Sequence, residues 1–327
     1  MDAEGALCML LDKVEGRHCW TAKTYEAKES FLKLSDFFEG ELEGLLGSSD
    51  ALLENHGALR HLAARITNIC ESGQGFAVLK GLSPEDYSEA QLLRFYLSLS
   101  SQIGLLVSQN HNGDKVVTVS NKMSGTLSDL NVRAYNTSQG LNFHSDSSDI
   151  TGLLCIHNSQ EGGDSLVVSA GNIHNLILAE HKEFLSLFYH GFLYDSRGEE
   201  APGLPPAYRN SVFYYQDTKL SCRFYLTDYI LPGLEKMSLK PSKAELDALA
   251  LFTRLCEDPR NYISFKMAPG DIVFYDNNAA LHARTPFVSN PHEATNRLLH
   301  RVWINPHKHR AFPEDFAKYR FGYDDQI

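Results

Sequence analysis

The sequence predicts an α+β fold in which an antiparallel barrel or jelly roll carries helices on its outside. Two observations predict it. The first third of the chain places apolar residues at helical spacing. From residue 105 onward, short β-branched runs are separated by Asn, Gly, Asp and Ser. The 327 residues show no repeat and no low-complexity tract, so the expectation is one domain over 1–327. Within it, 1–104 reads as mainly helical and 105–310 as the β core.

Taken in order, residues 26–46 and 57–73 read as helices, the second on the spacing of His61, Leu62, Ile66, Ile69 and Cys70. GFAVLKGL at 75–82 reads as a short buried strand. A third helix is expected over 84–103, with Ser83 as its N-cap. Strands follow at Lys115–Ser120, Ile150–His157, Ser165–Val168 and Ile272–Tyr275, with helices at Asn172–Tyr189 and 242–257 between them. Residues 194–232 are aromatic and rich in Pro, Gly and Tyr, the texture of an insertion that forms a lid over a site. In that lid Arg223, Tyr225 and Asp228 are candidates to meet a polar substrate.

Composition narrows the function. Hydrophobic residues at 43% and charged residues at 22% are ordinary for a globular protein. A formal net charge of −11 argues against nucleic acid and anionic membrane surfaces as partners. A small-molecule substrate fits, and oligomeric state leaves no signal. Six cysteines without a C-x-x-C pair argue against structural zinc and against a disulfide framework. No apolar run reaches membrane-spanning length, and MDAEGALCML lacks the basic and apolar regions of a secretory signal, so a cytoplasmic protein is expected.

Metal chemistry is suggested by LNFHSDSSDITGLLCIH, where His144 and Asp146 stand two residues apart in a strand-like run. Side chains at i and i+2 of a strand share a face, so an imidazole and a carboxylate there can reach one metal. With 14 His and 41 acidic residues, His-x-acid is expected roughly twice by chance, and it occurs twice. The second case, His181 and Glu183, falls in a helical stretch where i and i+2 diverge. What raises the first is its downstream context. APGDIVFYDNNAALHARTPF (268–287) reads as a turn, a strand and a polar turn that delivers His282. A third ligand of this type completes a facial triad of two histidines and one carboxylate, with positions left open for ligands. NRLLHRVWI (296–304) then alternates, placing Arg297, Leu299, Arg301 and Trp303 on one face. Two arginines on such a face call for an anion, either a ligand or an acidic side chain in an ion pair.

Together FHSD at 143–146, GGDS at 162–165, PGDIVFYDN…LHAR at 269–284 and NRLLHR at 296–301 resemble the taurine dioxygenase-like iron(II)/2-oxoglutarate oxygenases. The clavaminate synthase-like branch is the nearest in pattern, and the resemblance runs from about residue 60 to the C-terminus. It implies a double-stranded β-helix core with flanking helices. It also implies Fe(II), 2-oxoglutarate and O₂, with His144, Asp146 and His282 as the iron ligands. Arg297, 15 residues after His282, would clamp the distal carboxylate of 2-oxoglutarate. Ser165 stands where the family commonly has a Thr hydroxyl on that carboxylate. Arg301 matches an arginine that holds an anionic group of the substrate, and Gln109 with Asn110 lies where the branch places a substrate amide contact.

The amino-acid hydroxylases of this branch carry Glu where this chain has Asp146, while the presence of a carboxylate argues against the halogenating variants. The implied reaction is oxidation of an unactivated C–H bond of a small polar substrate, an amino acid or derivative, with release of succinate and CO₂. Hydroxylation, desaturation and cyclisation all fit. Two alternatives stay open at this point: a cofactor-independent cupin-type iron dioxygenase or metal-dependent isomerase, and a non-catalytic jelly-roll binding protein. Only the first reading needs the anion clamp at Arg297. His157, His174, His190 and His300 read as core or surface residues, and His307 and His309 as solvated.

Overall fold

A computed structural model describes residues 9–47, 56–110, 112–120, 138–196, 205–225, 227–288 and 296–308, together with Gly203, Arg310, Phe312 and Phe316. The expected helix over 26–46 is instead three short pieces and a strand: α1 (Ala27–Ser30), β1 (Phe31–Lys33), α2 (Ser35–Phe38) and α3 (Leu42–Gly47). Strand pairing overrides helical spacing here. Phe31 to Lys33 lie parallel against Val78 to Lys80, and Gly40 at a φ of +91° separates α2 from α3.

Helix α4 (Gly57–Ser72) follows the expected pattern, burying Leu59, Leu62, Ala63, Ile66, Ile69 and Cys70 on one face. Strand β2 (Phe76–Lys80) comes next, then α5 (Glu89–Ile103), which starts later than expected. Ser88 rather than Ser83 is its N-cap: its backbone N–H donates to Gln91 Oε1 at 2.9 Å, while Gln91 N–H donates to Ser88 Oγ at 3.4 Å. Ser83 closes the preceding turn, accepting from Glu85 N–H at 3.2 Å.

The β region comprises β3 (Gly104–Val107), β4 (Val116–Ser120), β5 (Leu141–His144), β6 (Ile150–His157) and β7 (Ser165–Ser169). The helix expected at 172–189 is two, α6 (Ala170–Glu180) and α7 (Leu185–His190), separated at His181, whose φ of −145° is not helical. The insertion holds β8 (Phe192–Asp195), β9 (Ala207–Asn210), β10 (Phe213–Gln216), β11 (Lys219–Cys222) and α8 (Ile230–Lys236). Helix α9 (Lys243–Glu257), capped by Ser242, leads to β12 (Tyr262–Phe265), β13 (Ile272–Asp276), β14 (Ala280–Arg284) and β15 (Leu298–Pro306).

These strands form a mixed α/β fold around two larger sheets. One runs β1-β2-β13-β6-β15-β3, with β4 also on β15, and the other runs β12-β7-β14-β5. Phe76, Cys155, Val273, Tyr275 and Leu299 of the first sheet form one core cluster with Val167 and Ala280 of the second, so the sheets face each other. The opposite side of the first sheet, including Leu154, Ile272, Phe274, Val302 and Ile304, packs on α4 and α5. A third cluster joins α6, α7 and α9 to the insertion through Phe188, Tyr194, Phe213, Phe224 and Phe252. No helix among the described residues is long and apolar enough to cross a membrane.

Candidate metal centre and co-substrate pocket

Antiparallel pairing of β5 with β14 sets His144 directly opposite His282, which puts their rings 4.4 Å apart. Asp146 follows just beyond β5 and turns its carboxylate to the same point. The ligand atoms of His144, Asp146 and His282 lie within 4.8 Å of one another, and all three residues are buried. This is a donor set of two nitrogens and one oxygen, which fits a non-haem iron with open positions.

Each ligand is oriented by a neighbour. His144 Nδ1 lies 2.8 Å from Asn142 O, so Nδ1 carries the proton and Nε2 is the free donor atom. His282 lies flat on the Tyr275 ring, with centroids 4.7 Å apart and planes 9° apart. Asp146 is held at three points. Thr151 Oγ1 donates to its Oδ2 at 2.8 Å, Arg301 Nη1 donates to its Oδ1 at 3.1 Å, and its own N–H donates to Asn277 Oδ1 at 3.0 Å. Asn277 in turn donates to Thr151 Oγ1 at 3.0 Å and to Ser148 O at 2.9 Å, so the network closes on itself.

The electrostatics suit a metal. Burial lowers the pKa of His282 to about 3, reinforced by the neighbouring His144. Burial also lowers that of His144. Both imidazoles are therefore neutral near pH 7, the form that binds metal. For Asp146, burial acts to raise the pKa, but Arg301, the two imidazoles and the Thr151 hydroxyl outweigh it and hold the carboxyl at about 2. It is an anion throughout the physiological range.

A second polar region lies on the same inner face. Arg297 is 6% exposed, its guanidinium sits 5.3 Å from the Phe287 ring centre, and its Nε and Nη1 have no hydrogen-bond partner among the described residues. Burial lowers its pKa to about 10, countered only by the Cys155 thiol and the Tyr275 hydroxyl. Ser165 shares a hydrogen bond with Tyr275, whose ring backs His282. Gly162 and Gly163, at φ +70° and +72°, let the GGDS turn pass close to Arg297; a Cβ on Gly163 would lie 2.5 Å from Ser159 Oγ and 3.4 Å from Arg297 Nε. A buried cation with unused donors, one side chain away from the metal ligands, fits the distal carboxylate of 2-oxoglutarate.

The other sequence candidates take distinct places. Arg301 donates through Nε to Gln109 Oε1 at 2.7 Å and stacks 5.1 Å from the Trp303 ring centre. Gln109 is fixed in return, its Nε2 donating to Arg301 O at 2.9 Å and Lys115 O at 3.1 Å. Asn110 closes a surface turn with Asp114. Arg223 is fully buried, with Nη2 donating to Asp149 Oδ1 at 2.8 Å and its guanidinium 5.6 Å from both Phe312 and Phe316. Tyr225 packs edge-on against Tyr194. His300 meets Glu89 at 2.7 Å and His174 meets Tyr189 at 3.1 Å, both away from the metal ligands; His307 is exposed, and His309 lies outside the described residues.

Sequence reasoning missed Thr151, Asn277, Tyr275 and Arg284. Arg284 has a signal, since it stands two residues after His282 on the same strand and is paired in register with Ser165. It stacks on the same Phe287 ring as Arg297, at 4.8 Å. Burial and the charge of Arg297 lower its pKa to about 9.

Comparison with known proteins gives this geometry its context. The profile of the family described as "Taurine catabolism dioxygenase TauD, TfdA family" matches residues 45–303. FR-33289 synthase of Streptomyces rubellomurinus is 35% identical over 263 residues, covering 80% of this chain and 78% of that one. The taurine hydroxylase-like protein SAT17 of Stachybotrys chartarum is 27% identical over 255 residues, covering 75% of this chain and 63% of its own. Among solved structures, an asparagine oxygenase with Fe(II), hydroxyasparagine and succinate superposes with a TM-score of 0.60 at 18% identity, over 84% of this chain and 93% of that one. The non-heme iron oxygenase OrfP, in complex with Fe and alpha-ketoglutaric acid, gives 0.57 at 17% identity, over 84% and 94%. The chain belongs to the taurine catabolism dioxygenase TauD, TfdA family, and is an Fe(II)- and 2-oxoglutarate-dependent oxygenase.

Proposed function

We propose that this oxygenase hydroxylates an unactivated C–H bond of a small amino acid or a close derivative, releasing succinate and CO₂. The observation that carries the site assignment is the pairing of the buried triad with Arg297, a buried cation whose Nε and Nη1 have no partner among the described residues. A cofactor-independent dioxygenase has no use for that cation. The substrate class is supported by the relatives, two of which act on asparagine and bind hydroxyarginine by their descriptions.

In this assignment His144, Asp146 and His282 hold iron, and Arg297 with Ser165 receives the distal carboxylate of 2-oxoglutarate. When bound, the pair would supply the oxidising chemistry: oxidative decarboxylation of 2-oxoglutarate to succinate and CO₂ takes up one atom of O₂, and the other is inserted into the C–H bond. The chain's own part is positional. Asn142 fixes the His144 tautomer, Thr151 and Arg301 restrain the two Asp146 oxygens, and the Tyr275 ring fixes the His282 plane. The Phe287 and Trp303 rings back Arg297 and Arg301 with buried apolar surface. Arg301 and Gln109 complete the proposed substrate side, whereas Arg223, expected there from the sequence, is fully buried against Asp149 and serves to hold the wall of the site.

The two facing sheets are best read as a double-stranded β-helix, a reading supported by the alternation of strands from both halves of 141–306 across the two sheets. We take 1–327 as one domain in which 194–232 covers the site. Five cysteines among the described residues are free thiols, which fits a reducing cytoplasm. The test is substrate-stimulated succinate release across a panel of amino acids and their derivatives, with product mass measured in parallel. A gain of one oxygen in step with succinate is expected. Succinate release that no member stimulates, together with no mass change, would refute the substrate class.

A further inference from the structure

The polar turn 276–278 holds the candidate ligand Asp146 at two points. Asn277 Oδ1 accepts from the Asp146 N–H at 3.0 Å, and Asn277 Nδ2 donates at 3.0 Å to Thr151 Oγ1, which itself donates to Asp146 Oδ2. Asn277 can orient the carboxylate only as firmly as its own place is set. Three attachments set it. Arg310 Nη2 donates to Asp276 Oδ2 at 3.2 Å. Asn277 N–H donates to Asp149 O at 2.9 Å, and the Asp149 carboxylate accepts from Arg223 Nη2 at 2.8 Å. Arg223 Nε donates to Asn278 Oδ1 at 3.4 Å.

Arg223 in turn depends on two aromatic residues near the C-terminus. It is fully buried, its Nη1 has no hydrogen-bond acceptor among the described residues, and its guanidinium lies 5.6 Å from the ring centres of both Phe312 and Phe316. A buried guanidinium gains from aromatic faces beside it. The same rings grip the other arm of the hairpin, since Tyr214 of β10 lies 5.4 Å from Phe316 and 6.4 Å from Phe312. Arg310 adds bonds to β11, at 3.0 Å to Leu220 O and 2.9 Å to Ser221 Oγ. Phe316 is 1% exposed, so the contact is docked into the fold. We infer that Arg310, Phe312 and Phe316 are positioning residues for Asp146: they clasp the β10–β11 hairpin to the 276–278 turn, and that turn sets the carboxylate. The inference rests on the iron assignment above and adds to it three residues that act through Arg223, Asp149 and Asn277. Arg297 is supported separately, by Phe287 and the GGDS turn. Loosening the clasp therefore weakens metal binding and leaves 2-oxoglutarate binding at saturating metal intact.

The experiment is anaerobic titration of the full-length protein with Co(II), followed by calorimetry and by the visible absorption of the bound ion. Wild type is compared with Arg310→Gln, with the double variant Phe312→Leu/Phe316→Leu, which keeps apolar bulk but removes both rings, and with Phe312→Tyr, which keeps the ring. Phe38→Leu, in the core cluster that contains α4 and α5, is the reference for a loss of stability away from the turn. Arg310→Gln and the double variant are expected to bind Co(II) about tenfold more weakly, with altered band intensities. Both should bind 2-oxoglutarate as wild type does once Co(II) is saturating. Phe312→Tyr should match wild type, and Phe38→Leu should melt lower yet bind Co(II) unchanged. Where the double variant does not fold, Arg310→Gln decides alone. Wild-type Co(II) affinity and bands in Arg310→Gln would overturn the inference. So would an equal loss in Phe38→Leu, which would reduce the effect to general stability. Co(II) binding that survives His144→Ala and His282→Ala unchanged would instead overturn the metal site itself, a different result from the same titration.

Discussion

Replacing Arg297 with Met separates a ligand clamp from a structural ion pair by the sign of two effects. Burial brings the Arg297 pKa from 12.5 to about 10. At about 1.4 kcal/mol per pKa unit, that corresponds to about 3 kcal/mol of unfavourable charge burial in the ligand-free protein. The folded pKa is the depressed one, so the protonated form is disfavoured by folding at every pH below about 10. Stacking on Phe287 returns about 0.5–2 kcal/mol. Met keeps the stem over that ring and removes the charge, so the ligand-free variant should be more stable than wild type by about 1–2 kcal/mol, a few degrees in melting temperature. Binding should move the other way. Loss of a buried, charge-paired carboxylate contact costs about 2–5 kcal/mol, which weakens 2-oxoglutarate by about 30- to 4000-fold. Differential scanning fluorimetry of the ligand-free protein and anaerobic calorimetry with Co(II) and 2-oxoglutarate measure the two. A variant that melts lower and binds 2-oxoglutarate as wild type does would refute the reasoning, because it would show that Arg297 is satisfied within the protein.

Thr151→Val removes the hydroxyl that donates to Asp146 Oδ2 and accepts from Asn277; a stability loss of about 1–3 kcal/mol and weaker Co(II) binding are expected, read by urea melts and calorimetry. Gly163→Ala puts a Cβ 2.5 Å from Ser159 Oγ at a φ of +72°; it should cost about 1–3 kcal/mol and raise the KM for 2-oxoglutarate, while kcat at saturation stays near wild type. His174 has its pKa lowered to about 4 by burial. Its stabilising contribution is complete above pH 6.5 and is lost as pH falls toward 4, a loss of about 3 kcal/mol. His174→Phe should flatten that part of a stability–pH curve, and an unchanged slope would place the acid sensitivity elsewhere.

The candidate triad was legible in outline: strand periodicity pointed to His144 and Asp146 together, although β5 ends at His144 and Asp146 reaches the same point from the segment that follows. The polar turn after β13 sets His282 in β14, opposite His144. Alternation singled out Arg297 and Arg301 together, and both are buried. What the rule does not carry is which partner each charge takes, since that depends on cross-strand register. Arg301 meets Asp146 only because β15 lies beside β6, where Trp303 is opposite Thr151. Helix boundaries failed for a related reason. The apolar spacing in 26–46 is compatible with a helix, but the edge of β2 offered backbone partners to Phe31–Lys33, and pairing prevailed over local preference. Ser83 and Ser88 are both sound caps in isolation, and only Ser88 has Gln91 three residues on to complete the reciprocal pair.

The insertion is bonded directly to the candidate metal centre. Its second hairpin ends at Arg223, whose guanidinium binds Asp149. Asp149 O accepts from Asn277 N–H at 2.9 Å, and Asn277 Oδ1 accepts from the Asp146 backbone at 3.0 Å. Ser145, between His144 and Asp146, donates its N–H to Phe224 O at 2.8 Å and accepts from Phe224 N–H on its Oγ at 3.0 Å. Lifting 223–225 would therefore break a buried ion pair, one backbone bond and one bond to the Ser145 hydroxyl beside the candidate metal ligands, and parting a buried pair alone costs about 3–5 kcal/mol. A motion that expensive would scramble the triad on every turnover. Opening of the site for substrate must then come from elements not anchored this way, while the 223–225 segment works as a fixed wall that keeps Asp146 in place.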